Sequence, residues 1–211
     1  MTVPPTPATP ATPAASAPVP VPVFLYGDYG CPFTYIERAR LDLLASEGSV
    51  QIAWRALPSS GGPTAESLAG TGADPGGLTH DAAELGLSFS IPKVRPDTRA
   101  AAQAAEFARD CGPDVFRRLQ DALFRAVFVE QIDLGEEAVL LEIADGARVD
   151  REGLAAALAD GRYLDTLGEI DVEAERYDID STPTLLIGRF KVVGAAPLEL
   201  LRKTVAQASA S

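Results

Sequence analysis

Three side chains in this sequence of 211 residues carry the chemistry of thiols and imidazole: Cys31, Cys111 and His80. Cys31 stands in the most informative place. The run before it, Val21-Pro22-Val23-Phe24-Leu25-Tyr26, is apolar and rich in β-branched and aromatic residues, which predicts a buried strand. Gly27-Asp28-Tyr29-Gly30 breaks that run, and Pro32 directly follows the cysteine. Beyond it Tyr35, Ile36, Ala39, Leu43 and Leu44 recur three and four apart, the period of a helix. Proline suits a first helical turn, because its missing N–H would be unpaired there anyway. Cys31 is therefore expected at the N-terminus of a helix that follows a strand. The free N–H groups and the dipole of such an end favour negative charge. A thiol there is expected to ionise below the ~8.5 of a free cysteine and to act as a thiolate nucleophile. The competing reading is a buried structural cysteine that only packs.

A second stretch bears on the choice. Ile179-Asp180-Ser181-Thr182-Pro183-Thr184-Leu185-Leu186-Ile187-Gly188 sets a proline, preceded by small polar residues, ahead of an apolar strand. Asp28-Tyr29-Gly30-Cys31-Pro32-Phe33-Thr34-Tyr35-Ile36, Trp54-Arg55, Asp97-Thr98 and Ser181-Thr182-Pro183-Thr184 together resemble the thioredoxin superfamily. The resemblance is to its DsbA-like branch, which includes FrnE-type dithiol oxidoreductases, 2-hydroxychromene-2-carboxylate isomerases and kappa-class glutathione transferases. It extends from about Val21 to about Ala206. The resemblance implies an α/β thioredoxin-like fold, with a helical subdomain inserted between the second strand and the strand after the proline. It implies a cis bond before Pro183, with Thr182 offering backbone groups to an extended peptide or to glutathione. It also implies catalytic roles for Cys31, Thr34 and Pro183, and a substrate-facing set of Pro32, Phe33, Thr182, Trp54 and Arg55. Packing in the core is the stronger reading of Trp54.

The chain departs from its relatives at Thr34. FrnE-type members carry Cys-Pro-x-Cys, whereas isomerase and kappa-class members carry serine in place of Cys31. One thiol without an adjacent resolving thiol predicts a mixed disulfide at Cys31. An external thiol would release it, such as glutathione or another low-molecular-weight thiol serving as co-substrate; Cys111 is the alternative. The Thr34 hydroxyl could donate a hydrogen bond to the thiolate. Asp28 reads equally as a modulator of the thiol and as the residue that closes the turn after the strand. The expected partner is a disulfide-containing protein or small thiol. Arg55 and Lys191 are the candidate cations for glutathione carboxylates. The alternatives are a glutathione-dependent isomerase or transferase, and a non-catalytic peptide-binding descendant of the fold. A homodimer is consistent with the resemblance and is not decided by the residues.

Composition limits the rest. A formal net charge of −12 argues against nucleic acid and against anionic membranes as partners. Three scattered Cys and His residues do not make the four-ligand set of a common zinc site, so no metal is expected. Two cysteines are too few for a disulfide scaffold, and a reducing cytoplasm is the expected compartment. No Lys or Arg precedes Arg38 and no long apolar run exists, so neither a signal peptide nor a membrane span is expected.

The elements that must position Cys31 follow from periodicity and punctuation. Residues 1–20 are a Pro/Ala/Thr-rich stretch, expected to be a disordered tail. The thioredoxin-like domain is assigned to 21–58 and 178–208, and the helical insertion with its flanking loop to 59–177. The first helix should run from Pro32 to Ser46 and the second strand from Val50 to Leu57, parallel to the first. Residues 58–77 read as loop, interrupted by a short helix over Thr64–Ala69. Leu78, Ala82 and Leu85 share a helical face that leaves His80 on the surface. Further helices are expected over Asp97–Asp110 with Asp97 as cap, Asp114–Phe128, Glu136–Ala144, Arg151–Ala159 capped by Asp150, and Tyr163–Tyr177. In the last, Leu164, Leu167, Ile170, Ala174 and Tyr177 should face inward. Strands Thr184–Ile187 and Phe190–Val193 turn at Gly188-Arg189, and Pro197–Ala206 closes the chain as a helix.

Overall fold

The computed structural model describes residues 19–58, 75–93 and 96–210. Most of the expected tail and the short helix over 64–69 lie outside those residues. Strand β1, Val21–Gly27, is the centre of a four-stranded sheet of order β2-β1-β3-β4. Its inward residues Val23, Leu25 and Tyr26 are fully buried, as the apolar run predicts for a central strand. Helix α1, Pro32–Ser46, returns the chain to β2, Val50–Ala56. The two strands pair in parallel from Val21 opposite Val50 to Gly27 opposite Ala56, as a strand–helix–strand crossover requires. Gly48, at φ +72°, ends α1: its N–H and that of Ser49 bond back to the carbonyls of Ala45 and Leu44.

Among the described residues, six helices lie between β2 and the rest of the sheet. They are α2 (Pro75–Glu84), α3 (Arg99–Asp110), α4 (Pro113–Phe128), α5 (Glu137–Gly146), α6 (Arg151–Ala159) and α7 (Leu164–Arg176). Strand β3, Thr184–Ile187, then runs antiparallel to β1, and β4, Phe190–Val193, runs antiparallel to β3. Gly188 takes φ +57° in the tight turn between them, a conformation that suits glycine. Helix α8, Leu198–Ser209, closes the fold. The α/β thioredoxin-like architecture with helices inserted between β2 and β3 is thus as expected.

The inserted helices share the apolar core of the sheet rather than building one apart. Val23, Leu25 and Leu185 of the strands and Ala105, Leu123, Phe124 and Leu140 of the insertion belong to one continuous cluster. A ring stack carries the core up to the turn before Cys31. Tyr29 lies 5.1 Å from both Trp54 and Phe124, and Tyr35 lies 5.0 Å from Phe128, centroid to centroid. Helix α2 packs through Leu78 and Ala82 on Ile36 of α1, in a smaller cluster with Phe33 and Leu85. His80 is exposed on its outer face, its imidazole 3.4 Å from Glu84.

Several local expectations need correction. Pro75–Gly77, read as loop, is the first turn of α2, where proline costs no hydrogen bond. Helix α3 begins at Arg99 with Thr98 at its cap position, and the Asp97 carboxylate instead accepts from the Arg99 N–H at 3.0 Å. Asp150 occupies the cap position of α6 without a capping side-chain bond. Leu164 and Tyr177 are 44% and 45% exposed, so the inward face of α7 is the narrower stripe Leu167, Ile170 and Ala174. Helix α3 is buried on nearly every side, because a run of alanines lets neighbouring helices approach all round it.

One buried carboxylate joins α1 to the segment between β4 and α8. Glu37 has no exposed surface; its Oε2 accepts from the Ala196 N–H at 3.0 Å and lies 3.6 Å from Arg40, while its Oε1 has no hydrogen-bond partner. Burial pushes its carboxyl up to about 7, the Ala196 and Arg40 interactions opposing that rise and the nearby Asp81 charge adding to it. A carboxyl held above its ordinary value stabilises the fold fully while it is protonated in the unfolded chain too, and that contribution is lost as pH rises through the folded value. The unfolding free energy of the protein should therefore fall by on the order of 3 kcal/mol between pH 4.5 and 7 from this group alone. Glu37→Gln should remove that component of the slope, which urea unfolding across the same pH range measures.

Candidate functional site

Cys31 is the N-cap of α1, with φ −93° and ψ +114°, and Pro32 is the first helical residue. The strand-to-helix turn is closed by its own backbone and by Asp28. The Cys31 N–H bonds the Asp28 carbonyl at 3.1 Å, and the Gly30 N–H bonds the Asp28 carboxylate at 2.8 Å. The same carboxylate oxygen accepts from the Thr98 hydroxyl at 2.7 Å, which ties the turn to the start of α3. Of the two readings of Asp28, closing the turn is thus the one its contacts describe. Its charge also acts on the thiol, raising the Cys31 pKa.

The opposite wall is the loop before β3. The Thr182–Pro183 peptide bond is cis, as the resemblance implies. Thr184 donates its hydroxyl to the Ser181 carbonyl at 2.8 Å, and the Pro183 carbonyl accepts from the Gly194 N–H at 2.8 Å, which fixes the loop on the sheet. The loop faces the thiol: the Cys31 Sγ donates to the Thr182 carbonyl at 3.3 Å. Cys31, Thr34 and Pro183 are all buried, whereas Phe33 and Thr182 are half-buried. Gly27 is required at the end of β1, since a Cβ there would lie 2.5 Å from the Thr34 methyl and 2.7 Å from the Trp54 ring.

The expected acidity of Cys31 is reversed. The residue is 2% exposed, and loss of water around the sulfur pushes its pKa up. Hydrogen bonds with the Thr34 hydroxyl and backbone N–H and with Thr182 pull it back only in part. Helix-terminus position predicts a low pKa, but desolvation of a nearly enclosed sulfur outweighs it. The Thr34 hydroxyl and N–H pull the Cys31 pKa down, and that hydroxyl also accepts from the Asp28 N–H at 3.5 Å.

Trp54 and Arg55 lie differently from the other expected substrate-side residues. Trp54 is 2% exposed between Tyr29 and Phe124, so its ring fills the core and presents no face to a ligand. Arg55 is bonded to Glu173 at 3.2 Å and lies over the Phe24 ring. Lys191, the other cation considered for a carboxylate, donates to the carbonyls of Tyr177 and Asp178. Cys111 is exposed at the C-terminal end of α3. Gly30, next to Cys31, abuts Thr98 at the N-terminal end of the same helix. About 13 residues at 1.5 Å each separate those ends by roughly 20 Å, far beyond disulfide reach. Sequence reasoning missed Glu37, Arg40 and Asp81, which stand behind α1 beside the site. Their only sequence signal is charge on a face that the helical period assigns to the interior.

Among the described residues, no group of three or more Cys, His, Asp or Glu is placed to hold a metal ion, and no helix is long and apolar enough to cross a membrane.

Ultraviolet absorbance of the thiolate in Cys111→Ser, followed against pH, should give a Cys31 midpoint above the ~8.5 of a free thiol. Thr34→Val should move it higher by deleting a supporting hydrogen bond, and Asp28→Asn should move it lower by deleting a neighbouring charge. A midpoint below the free value would show that the helix terminus outweighs burial.

The comparisons with known proteins agree with this geometry. The family model described as DSBA-like thioredoxin domain matches residues 23–206. The protein YwbO of Bacillus subtilis is 25% identical over 198 residues, covering 88% of this chain and 96% of that one. A crystal structure from Streptomyces coelicolor, described as a probable DsbA oxidoreductase, superposes with a TM-score of 0.77 at 23% identity, over 90% of this chain and 91% of that chain. A 2-hydroxychromene-2-carboxylate isomerase superposes with a TM-score of 0.71 at 18% identity, over 88% and 95%. With a thiol at the N-cap of α1, a cis-proline loop facing it and a match over nearly the whole described chain, this protein belongs to the DSBA-like thioredoxin domain family.

Proposed function

We propose that the chain is a monothiol thiol–disulfide oxidoreductase that works through a mixed disulfide at Cys31. The observation that carries this reading is the meeting of the Cys31 sulfur with the Thr182 carbonyl beside cis Pro183, in a chain whose α1 has Thr34 one turn after the thiol. In the first step Cys31 gives its proton to solvent and its sulfur attacks one sulfur of a disulfide R–S–S–R. A Cys31–S–S–R bond forms, the R–S–S–R bond breaks, and the departing thiolate takes up a proton as RSH. Cys31 is oxidised and half of the substrate is reduced, so electrons balance within the pair.

Release then falls to a second, external thiol of low molecular weight. The Thr34 hydroxyl cannot attack a disulfide, and Cys111 stands at the far end of α3. An external thiol that attacks the substrate sulfur regenerates Cys31 and departs as a new disulfide. A thiol whose pKa is raised by burial is a poor leaving group, so the Cys31 adduct should persist until that thiol arrives. Thr182 supports the reading from the other wall: its half-buried backbone, fixed by the Ser181 and Pro183 carbonyl bonds, can pair with an extended segment carrying the substrate sulfur.

Intact mass after mixing reduced Cys111→Ser protein with a small disulfide should show a single adduct, absent in Cys31→Ser. Thr34→Cys restores an adjacent second thiol, so its adduct should decay to an internal disulfide at least about tenfold faster, because the attack becomes intramolecular. Failure of Cys31 to form any adduct would refute the oxidoreductase reading.

A further inference from the structure

Two compartments lie side by side next to the site and share Asp81 and Ala195. The first, about 470 Å³, is lined by Phe33, Gly77, Leu78, Asp81, Thr182, Gly194 and Ala195. Thr182, whose carbonyl accepts from the Cys31 sulfur at 3.3 Å, stands on its wall, which sets the cavity next to the thiol. The second, about 560 Å³, continues past Asp81 between α2 and the segment leading into α8, with Arg40, Glu84 and Leu85 on its walls.

The charges of this groove are one-sided. In the first compartment Asp81 is the sole charged residue among the described lining residues. In the second the one cation among the described lining residues, Arg40, is 8% exposed at its side chain and already bonded to Asp81 at 2.7 Å, with Glu37 3.6 Å away on its other nitrogen. Glu84 is exposed, with the His80 imidazole 3.4 Å from it. Arg55 and Lys191, the other cations considered for an anionic ligand, are committed to Glu173 and to the carbonyls that follow α7. A carboxylate entering the groove would lose water and meet acidic walls with no uncommitted cation among the described residues, which costs binding free energy. An ammonium or guanidinium would meet Asp81 and Glu84, whereas the Phe33 and Leu78 side offers apolar surface.

We infer that this groove selects its disulfide by charge: it takes a peptide segment that sets an apolar residue beside its half-cystine against Phe33 and Leu78 and a lysine or arginine toward Asp81 and Glu84, and it disfavours glutathione. The inference rests on the thiol–disulfide reading of Cys31 and narrows its substrate class. Among the described residues, the carboxylates of glutathione find no uncommitted cation here, whereas a basic peptide finds the exposed Glu84 and an Asp81 that it shares with Arg40.

Adduct formation at Cys31 tests it, read by intact mass in reduced Cys111→Ser protein at near-neutral pH and low salt. The probes are cystamine, 2-hydroxyethyl disulfide, oxidised glutathione, and two peptide disulfides that place either lysine or glutamate two residues from an apolar-flanked half-cystine. Each rate is divided by that of a free cysteine in solution, which removes the intrinsic reactivity of the probe. Cystamine should exceed glutathione by about tenfold, with the neutral probe between them. The lysine peptide should exceed both cystamine and the glutamate peptide. Added salt should compress these ratios. Asp81→Asn should compress the cystamine-to-glutathione ratio at least about threefold, since it deletes the shared carboxylate and frees Arg40. Equal normalised rates, or glutathione fastest, would overturn charge selection while leaving the oxidoreductase reading standing. A lysine peptide no faster than cystamine would overturn the apolar part of the inference. Absence of adducts with every probe would refute the oxidoreductase reading, and the inference with it.

Discussion

The buried carboxylate of Asp28 holds together the parts of this protein that matter for its chemistry. It is 1% exposed, and it accepts from the Gly30 N–H of the turn and from the Thr98 hydroxyl at the head of α3. Those bonds fix where β1 ends, how the chain enters α1, and how the inserted helices stand against the sheet. An ionised group so enclosed is tolerated only when its oxygens are hydrogen-bonded. The position of Cys31 is one consequence, since its N–H closes the same turn on the Asp28 carbonyl. The close packing of Gly27 against Thr34 and Trp54 is another, because the turn leaves no room for a side chain there.

The site built on that turn shelters its sulfur. Cys31 gains a helix terminus, the Thr34 hydroxyl and N–H, and the Thr182 side chain, yet it loses nearly all its water. Desolvation of a thiolate outweighs a few hydrogen bonds, so burial holds the thiol pKa above its ordinary value. Such a sulfur reacts slowly and then leaves slowly, which suits a chain with no second thiol beside the first. The aromatic stack of Tyr29, Trp54 and Phe124 behind the turn is what excludes water from that side.

Charge is distributed with the same economy around α1. Arg40 stands between Asp81 and Glu37, Arg38 between Asp42 and Asp121, and Arg55 against Glu173. These pairs satisfy buried or half-buried groups within α1, between α1 and its neighbouring helices, and between β2 and α7. Among the described residues they also leave the groove beside Thr182 without an unpaired cation.

The sequence by itself determined the secondary structure near the thiol and the resemblance that names the fold. An apolar run, a glycine-rich break, Cys-Pro and a helical period are local signals, and each maps onto one element: β1, the turn and α1. The parallel pairing of β2 and the hairpin of β3 and β4 were likewise readable, because crossovers and two-residue turns obey chain-local rules. Depth was not readable. The helical period marks Leu164 and Tyr177 as inward, but whether a neighbour covers them depends on packing between distant segments, and they stay 44% and 45% exposed. The acidity of Cys31 shows the same divide. Sequence places it at a helix terminus and predicts a lowered pKa, whereas its burial under Thr182, Thr34 and the turn arises only when residues 151 positions apart meet. The reach of Cys111, the burial of Glu37 and the charge of the groove are also distances between segments, and only the tertiary fold sets those.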